Sequence, residues 1–379
     1  MEPYQRRSNH FEALFANPKL IWMGQNTNHL PSHPDVKRAM IAAIEDEVYH
    51  SYAPPAGLAE LRRLILDDFE VSDADALITD GAIEGLYHAC RHFIRPGDRM
   101  ITTDPTWTWP GAFAKLSGAE VVALPIYEAD QNYKLTADQL AAAVADGGAR
   151  LIYIVDPLNP LGICYTAEEI EAFAAIARSA EAYLIHDCTY RHFANGHTLA
   201  YRYYPERTIT TYSFSKWLGA AGLRIGALMA RPSLLQTLSN GQPNSLGSNV
   251  VSQLGAIAGL KAKDEWFPEV LRISRHNQGL IHAAVQQIDE LTMPIFPSHG
   301  NFVAIDCSRA GISPEALCDG FLRRDIQIRH AGYHTDRYAD RFIKVSTTVP
   351  TQHTQQFCDV LPAVVTEALA SQPATEKHY

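Results

Sequence analysis

The 379-residue chain has only six cysteines, at positions 90, 164, 188, 307, 318 and 358, with no Cys-x-x-Cys pair and no dense framework. Such scatter excludes a disulfide-stapled scaffold and reads as free thiols in a core. The sixteen histidines show no His-Glu-x-x-His or comparable ligand spacing, so no metal is assigned. No run of about twenty uncharged apolar residues occurs, and Met1 to Arg7 is not followed by an apolar signal region, so neither a membrane span nor a leader is expected. A basic cluster is missing as well, and a net charge of −10 argues against a nucleic-acid partner. Internal repeats and low-complexity tracts are absent. What is present, 46% hydrophobic and 20% charged residues, describes a soluble globular protein, expected in the cytoplasm. Its length exceeds what one core organises, so two domains are expected.

The chemistry concentrates between Ser213 and Gly226, read as Ser-Phe-Ser-Lys-Trp-Leu-Gly-Ala-Ala-Gly-Leu-Arg-Ile-Gly. One lysine, Lys216, sits in an apolar, glycine-rich setting. Poor hydration lowers the pKa of such an amine, and a neutral amine attacks a carbonyl to form a Schiff base. Ser213, Ser215 and Arg224 offer hydroxyl and guanidinium donors suited to a phosphate. A lysine beside a phosphate cradle points to pyridoxal phosphate, where a lone lysine in an ordinary loop would point to nothing.

Around this stretch, short apolar strands alternate with helical segments. Ala76–Thr79, Arg99–Thr102, Val121–Leu124, Arg150–Val155, Tyr183–His186, Thr208–Tyr212 and Gly226–Ala230 read as strands, and Arg150–Val155 is apolar enough to be buried on both faces of a parallel sheet. Asp80-Gly81-Ala82-Ile83 opens a helix directly after a strand, a general way to aim backbone N–H groups and a helix dipole at an anion. Residues 1 to about 45 read as a polar arm, the apolar run Leu20–Gly24, a polar loop and a helix over Asp35–Glu47. The C-terminal part reads as a helix over about Trp266–Leu291, strands over Phe302–Asp306, Ile326–Arg329 and Arg341–Ser346, and a final helix. Ser239–Ser245 reads as a turn-rich loop and Ser371–Tyr379 as a frayed polar tail.

The lysine string resembles the cofactor-lysine motif of the class I/II pyridoxal-phosphate aminotransferases, with a layout like that of the histidinol-phosphate aminotransferases. The resemblance runs from Gly24 to Ser346. It implies fold type I: a large α/β domain with a mostly parallel, seven-stranded sheet between helices, and a smaller α+β domain. The expected division is an N-terminal arm and part of the small domain over 1–45, the cofactor domain over 46–270, and the rest of the small domain over 271–379. The resemblance also assigns residues. Lys216 would form the Schiff base, Asp187 would hold the pyridine nitrogen, and Tyr190 and Asn159 would meet the ring 3-oxygen. Trp107 would stack on the ring, with Trp109 either packing or lining the substrate side. The backbone of Gly81, Ala82 and Ile83 would meet the phosphate together with Ser213, Ser215 and Arg224. In Tyr52-Ala53-Pro54-Pro55-Ala56-Gly57-Leu58, Tyr52 would cross to the partner's phosphate in a homodimer. Gly24 and Asn26 are candidate substrate contacts, or parts of an ordinary turn.

Two departures stand out. Asp156-Pro157-Leu158-Asn159-Pro160-Leu161-Gly162 replaces the family's first asparagine and its threonine. In Phe342-Ile343-Lys344-Val345-Ser346, Lys344 stands where the family carries the arginine that binds the substrate carboxylate. A lysine gives a point charge instead of a planar fork. Either Lys344 does that work, or Arg329, Arg341 or the His330–His334 loop holds the substrate differently. The resemblance therefore implies transfer of an amino group between an amino acid and a 2-oxo acid. The alternatives are a lyase, decarboxylase or cyclase on the same fold, and a ligand-sensing module, disfavoured by the acidic chain and the absence of a helix-turn-helix pattern before Gly24.

Overall fold

The computed structural model describes residues 3–239 and 246–370. Most of the turn-rich loop read at Ser239–Ser245, and the tail from Ser371, lie outside the described residues. After a two-residue strand β1 (Ile21–Trp22), seven strands form the main sheet: β2 (Asp75–Thr79), β3 (Arg99–Asp104), β4 (Glu120–Pro125), β5 (Leu151–Val155), β6 (Tyr183–Asp187), β7 (Thr208–Ser213) and β8 (Gly226–Ala230). Their order is β2-β8-β7-β6-β5-β3-β4. The pairs from β7 through β4 are parallel, and β8 runs against both of its neighbours. β5 is buried at every position, as its apolar run requires.

Side-chain alternation along the strands divides the core. Leu77 of β2 and Leu228 of β8 point into one layer, with Leu86 and Phe93 of helix 82–93 and Ile170 and Phe173 of helix 167–179. Ala76, Ile78 and Met229 point to the other face, onto Leu61, Ile65 and Phe69 of helix 59–69, Ile257 of helix 250–261 and Phe267 of helix 263–285. A third core gathers β9 (Phe302–Asp306), β10 (Ile326–Gln327) and β12 (Phe342–Ser346) with helices 314–322 and 351–370. Met23 and the C-terminal half of helix 263–285, through Ile281 and Val285, complete it. One long helix thus belongs to two cores.

Three readings of the sequence change. The polar arm is a helix, Pro3–Ala16. Its apolar stripe is too sparse to show as a period, but Leu14 is buried and Gln5, Arg7, Glu12 and Ala13 are good helix formers. The strand expected over Ile326–Arg329 is two short ones: β10 pairs with β1, whereas β11 (Arg329–His330) pairs with β12 in a sheet of order β11-β12-β9. The chain changes partner at the buried Ile328. The helix read over Trp266–Leu291 runs from Lys263 to Val285, separated at Ala262 from helix 250–261. Among the described residues no helix is long and apolar enough to cross a membrane.

Candidate active site

The parallel strands end on one side of the sheet, where the turns beyond β3, β5, β6 and β7 meet β12 and the N-terminal segment around a cavity of about 450 Å³. Lys216 follows β7 by three residues, in a turn anchored by the fully buried Phe214 and Trp217. Its Nζ donates to the carbonyl of Gln25 at 2.9 Å. Burial, then the nearby Arg224 and Arg329, lower the amine to about 8, with Asp187 pulling the other way. The apolar setting therefore does what the sequence suggested.

Asp187 ends β6. Its Oδ2 accepts from the Tyr153 hydroxyl at 2.8 Å, and its Oδ1 from the hydroxyls of Thr189 and Thr211, both at 2.7 Å. Burial, and the carboxylate beside it, push the Tyr153 phenol well up, so it stays a donor. Four donors, counting the Thr189 amide at 3.2 Å, fix this carboxylate at the cavity wall. Tyr190, three residues on, is also pushed up by burial and accepts from Asn26 Nδ2 at 3.1 Å. Asn26 reaches Asn159 Oδ1 as well, at 3.4 Å, and its backbone N–H meets Ser346 Oγ at 2.8 Å. Its φ of +54° is a conformation asparagine tolerates better than most residues. Asn26 thus ties together the two side chains expected at the ring 3-oxygen.

Opposite lies a cradle for an anion. Gly81, at φ +79°, caps helix 82–93 without a side-chain hydrogen bond, leaving first-turn N–H groups open. Arg224 bonds the carbonyls of Ala221 at 2.8 Å and Asp80 at 3.2 Å. A Cβ on Gly81 would fall 2.5 Å from Arg224 Nη2, so the glycine makes room for the guanidinium. Ser213, Ser215, Ala82, Ile83 and Arg224 all line the cavity. A helix N-terminus, two hydroxyls and a guanidinium fit a phosphate. With Lys216, Asp187 and the indole of Trp107 along the same wall, the residues present fit pyridoxal phosphate.

The remaining end is cationic and aromatic. Lys344 Nζ lies 3.0 Å from Asn159 Oδ1 and 3.0 Å from His334 Nε2. Burial, with Arg329 and Lys216 nearby, lowers Lys344 well below an ordinary lysine. The buried Arg329 guanidinium lies over the rings of Tyr333, at 4.3 Å, and Phe11, at 5.9 Å. Arg7 sits over Trp109 at 5.0 Å and lines the mouth. Asp187 is the one carboxylate among the lining residues, against Arg7, Lys216, Arg224, Arg329 and Lys344.

The structure gathers most of the residues expected from sequence. Gly24 lines the cavity, and Gly81 supports it from behind. Tyr52 does not line it: the ring is 80% exposed on the single chain. Reading the sequence missed Arg7 and Phe11, whose helix was not foreseen, and Tyr153. A tyrosine inside the apolar strand Leu-Ile-Tyr-Ile-Val needs a partner for its hydroxyl, and that was the available signal. Asp156 has a structural partner set: burial would raise its carboxyl, but His197 and His186 hold it below the usual range. Tyr165 N–H meets its Oδ1 at 3.0 Å. His186, Cys188 and His197 come within 4.8 Å of one another. His186 Nδ1 accepts the Ala200 N–H at 3.2 Å, which leaves Nε2 carrying the proton toward Asp156.

Comparison with known proteins agrees with this geometry. The family described as aminotransferase class I and II matches residues 18–361. The histidinol-phosphate aminotransferase of Symbiobacterium thermophilum is 29% identical over 357 residues, covering 92% of this chain and 91% of that protein. The aspartate aminotransferase of Pyrococcus horikoshii is 24% identical over 349 residues, 89% of this chain and 88% of its own. Among solved structures, histidinol-phosphate aminotransferase from Sinorhizobium meliloti, in complex with pyridoxal-5'-phosphate, superposes with a TM-score of 0.83 at 24% identity, over 97% of this chain and 95% of that one. The Thermus thermophilus aspartate aminotransferase with maleate gives 0.83 at 19% identity, over 96% and 97%.

Proposed function

The chain belongs to the class I and II aminotransferases, pyridoxal-phosphate enzymes that move an amino group between an amino acid and a 2-oxo acid, and we propose that its reaction turns on Lys216. One observation carries this assignment: a buried amine, lowered to about 8, shares a cavity with a phosphate cradle and a fixed carboxylate. When bound, pyridoxal phosphate supplies the carbonyl that takes the amine and a ring that draws off electrons from Cα. Ser213, Ser215, Arg224 and the first-turn N–H groups of Ala82 and Ile83 would hold its phosphate. Asp187 would hold the ring nitrogen, Asn159 and Tyr190 the 3-oxygen, and Trp107 would cover the ring. Lys216 Nζ would take the Cα proton of the donor and give it back, as general base and then acid. Arg329 and Lys344 would hold the donor's carboxylate, with Gly24 lining the cavity beside the donor.

The working unit we propose is a cytoplasmic homodimer in which Tyr52 reaches the partner's phosphate. Exposed Ile41, Ile44, Tyr49 and Tyr52 crowd one short segment, a surface suited to a second copy. Six free cysteines suit a reducing compartment. The test incubates the enzyme with each of a panel of amino acids plus 2-oxoglutarate and measures glutamate. Formation of glutamate, lost in Lys216→Ala, is expected. Consumption of an amino acid with no glutamate formed would reject transfer in favour of elimination or decarboxylation. Sedimentation velocity of wild type and Tyr52→Ala reads the dimer.

A further inference from the structure

The substitution of lysine for arginine at position 344 changes more than hydrogen-bond geometry. Asn159 Oδ1 receives both Asn26 Nδ2 and Lys344 Nζ, so it acts as an acceptor. His334 Nδ1 lies 3.3 Å from the carbonyl of Thr106, which can only accept, so Nδ1 carries the ring proton and Nε2 offers a lone pair. Burial, with the Arg329 guanidinium nearby, holds His334 well below an ordinary histidine, which keeps it neutral. Lys344 therefore gives two hydrogens to two neutral acceptors.

Among the described residues no counter-charge is hydrogen-bonded or ion-paired to it. Across the strand pair, Arg329 stands directly opposite Lys344 in register. Lys216 comes from the turn after β7, and Arg7 from the N-terminal helix lines the same cavity. From β9 comes the apolar ring of Phe302, 5.4 Å away. Tyr190 and Tyr333 present phenols, and Asp187 is already held by four donors. His330, the residue after Arg329 on β11, lies toward Glu315 instead, at 3.8 Å. An ammonium at Lys344 would have a third N–H and a positive charge with no counterion, whereas a neutral amine has both hydrogens placed and one lone pair left.

We propose that Lys344 is a proton-linked carboxylate clamp: it rests uncharged on His334 and Asn159 and takes one proton from solvent when a substrate carboxylate enters. The proton binds the Nζ lone pair, and the resulting ammonium gives its third N–H to the carboxylate. No other bond is made or broken. An arginine, charged at all working pH values, grips without this step. The inference rests on the aminotransferase reading and on the carboxylate lying at Lys344. Its consequence is that substrate affinity falls with rising pH, about tenfold per unit above the resting pKa of Lys344.

The test is isothermal titration calorimetry of the cofactor-loaded enzyme with maleate, an unreactive dicarboxylate, at about pH 8 where maleate is fully ionised. Two buffers of different ionisation enthalpy give the protons taken up, and protonation of the bound cofactor is read from its visible absorbance and subtracted. Wild type is expected to take up about one proton more than Lys344→Arg, which still binds maleate with a flat pH profile. Lys344→Met is expected to bind weakly and take up none, with cofactor absorbance and the thermal melt checking its fold. Equal proton counts in wild type and Lys344→Arg, or no maleate binding by wild type at millimolar concentration, would overturn the clamp. Neither result touches the transfer of amino groups to 2-oxoglutarate, whose failure would reject the activity itself.

Discussion

Removing one hydroxyl, in Tyr153→Phe, isolates the support of Asp187. The phenol is buried inside β5, donates to Asp187 Oδ2 at 2.8 Å, and no other donor is within hydrogen-bond range of that oxygen among the described residues. Phenylalanine fills the same space, so packing is kept. The two threonine hydroxyls and the Thr189 amide stay on Oδ1, so the carboxylate keeps its place but loses the one donor on Oδ2. A hydrogen bond to a charged group contributes about 1.5–3 kcal/mol, equivalent to roughly 10- to 150-fold in an equilibrium or rate. We expect weaker cofactor binding and a slower first half-reaction, together summing to that range, with a thermal melt lowered by only a few degrees. Stopped-flow absorbance with a good donor measures the rate, and equilibrium dialysis the affinity. In an Asp187→Asn background, Tyr153→Phe should add little, because the group it supports is gone. An unchanged half-reaction in the single variant, or full additivity in the double, would refute the role given to Asp187.

Other consequences follow from the same geometry. Because Lys216 is lowered from 10.5 to about 8 by burial, cofactor uptake by apoenzyme should rise about tenfold per pH unit below pH 8 and level off above it, as stopped-flow mixing at several pH values will show. The unfolded chain binds the extra proton between about 8 and 10.5, so this lysine also makes apoenzyme stability rise with pH through that window, readable by urea titration. Gly81→Ala places a Cβ 2.5 Å from Arg224 Nη2 at a φ of +79°; it should cost about 1–2 kcal/mol of stability and weaken cofactor binding at least tenfold by dialysis. Arg7→Ala should leave cofactor affinity unchanged, and should raise KM for donors with acidic side chains about tenfold more than for neutral ones, since Arg7 lines the cavity and makes no ion pair with a carboxylate among the described residues.

The sheet and the cofactor end were legible in the sequence for a physical reason. Strands such as Leu151–Val155 are buried on both faces and so read as unbroken apolar runs, and the residues at their ends are local to those runs in sequence. Lys216, Asn159 and Trp107 each follow a strand within a few residues and Asp187 ends one, so finding the strand finds the residue. The substrate end was less legible because it is assembled over long sequence distances. Asn26 reaches Tyr190 and Asn159 from the N-terminal segment, and Arg7 arrives on a helix whose sparse apolar face gave no period. The break between Gln327 and Arg329 was invisible for a related reason: each short strand takes its register from a different partner. Asp156 read as a departure from a motif, and only the fold supplies the two histidines that accompany it.

The most direct test of the central claim is the visible spectrum of the cofactor-loaded enzyme as single amino acids are added with no 2-oxo acid present. The account predicts that a donor converts the bound pyridoxal form to a stable pyridoxamine form, that adding a 2-oxo acid restores it, and that Lys216→Ala does neither. A spectrum that returns to its starting form while the amino acid is consumed, with no acceptor present, would contradict amino-group transfer.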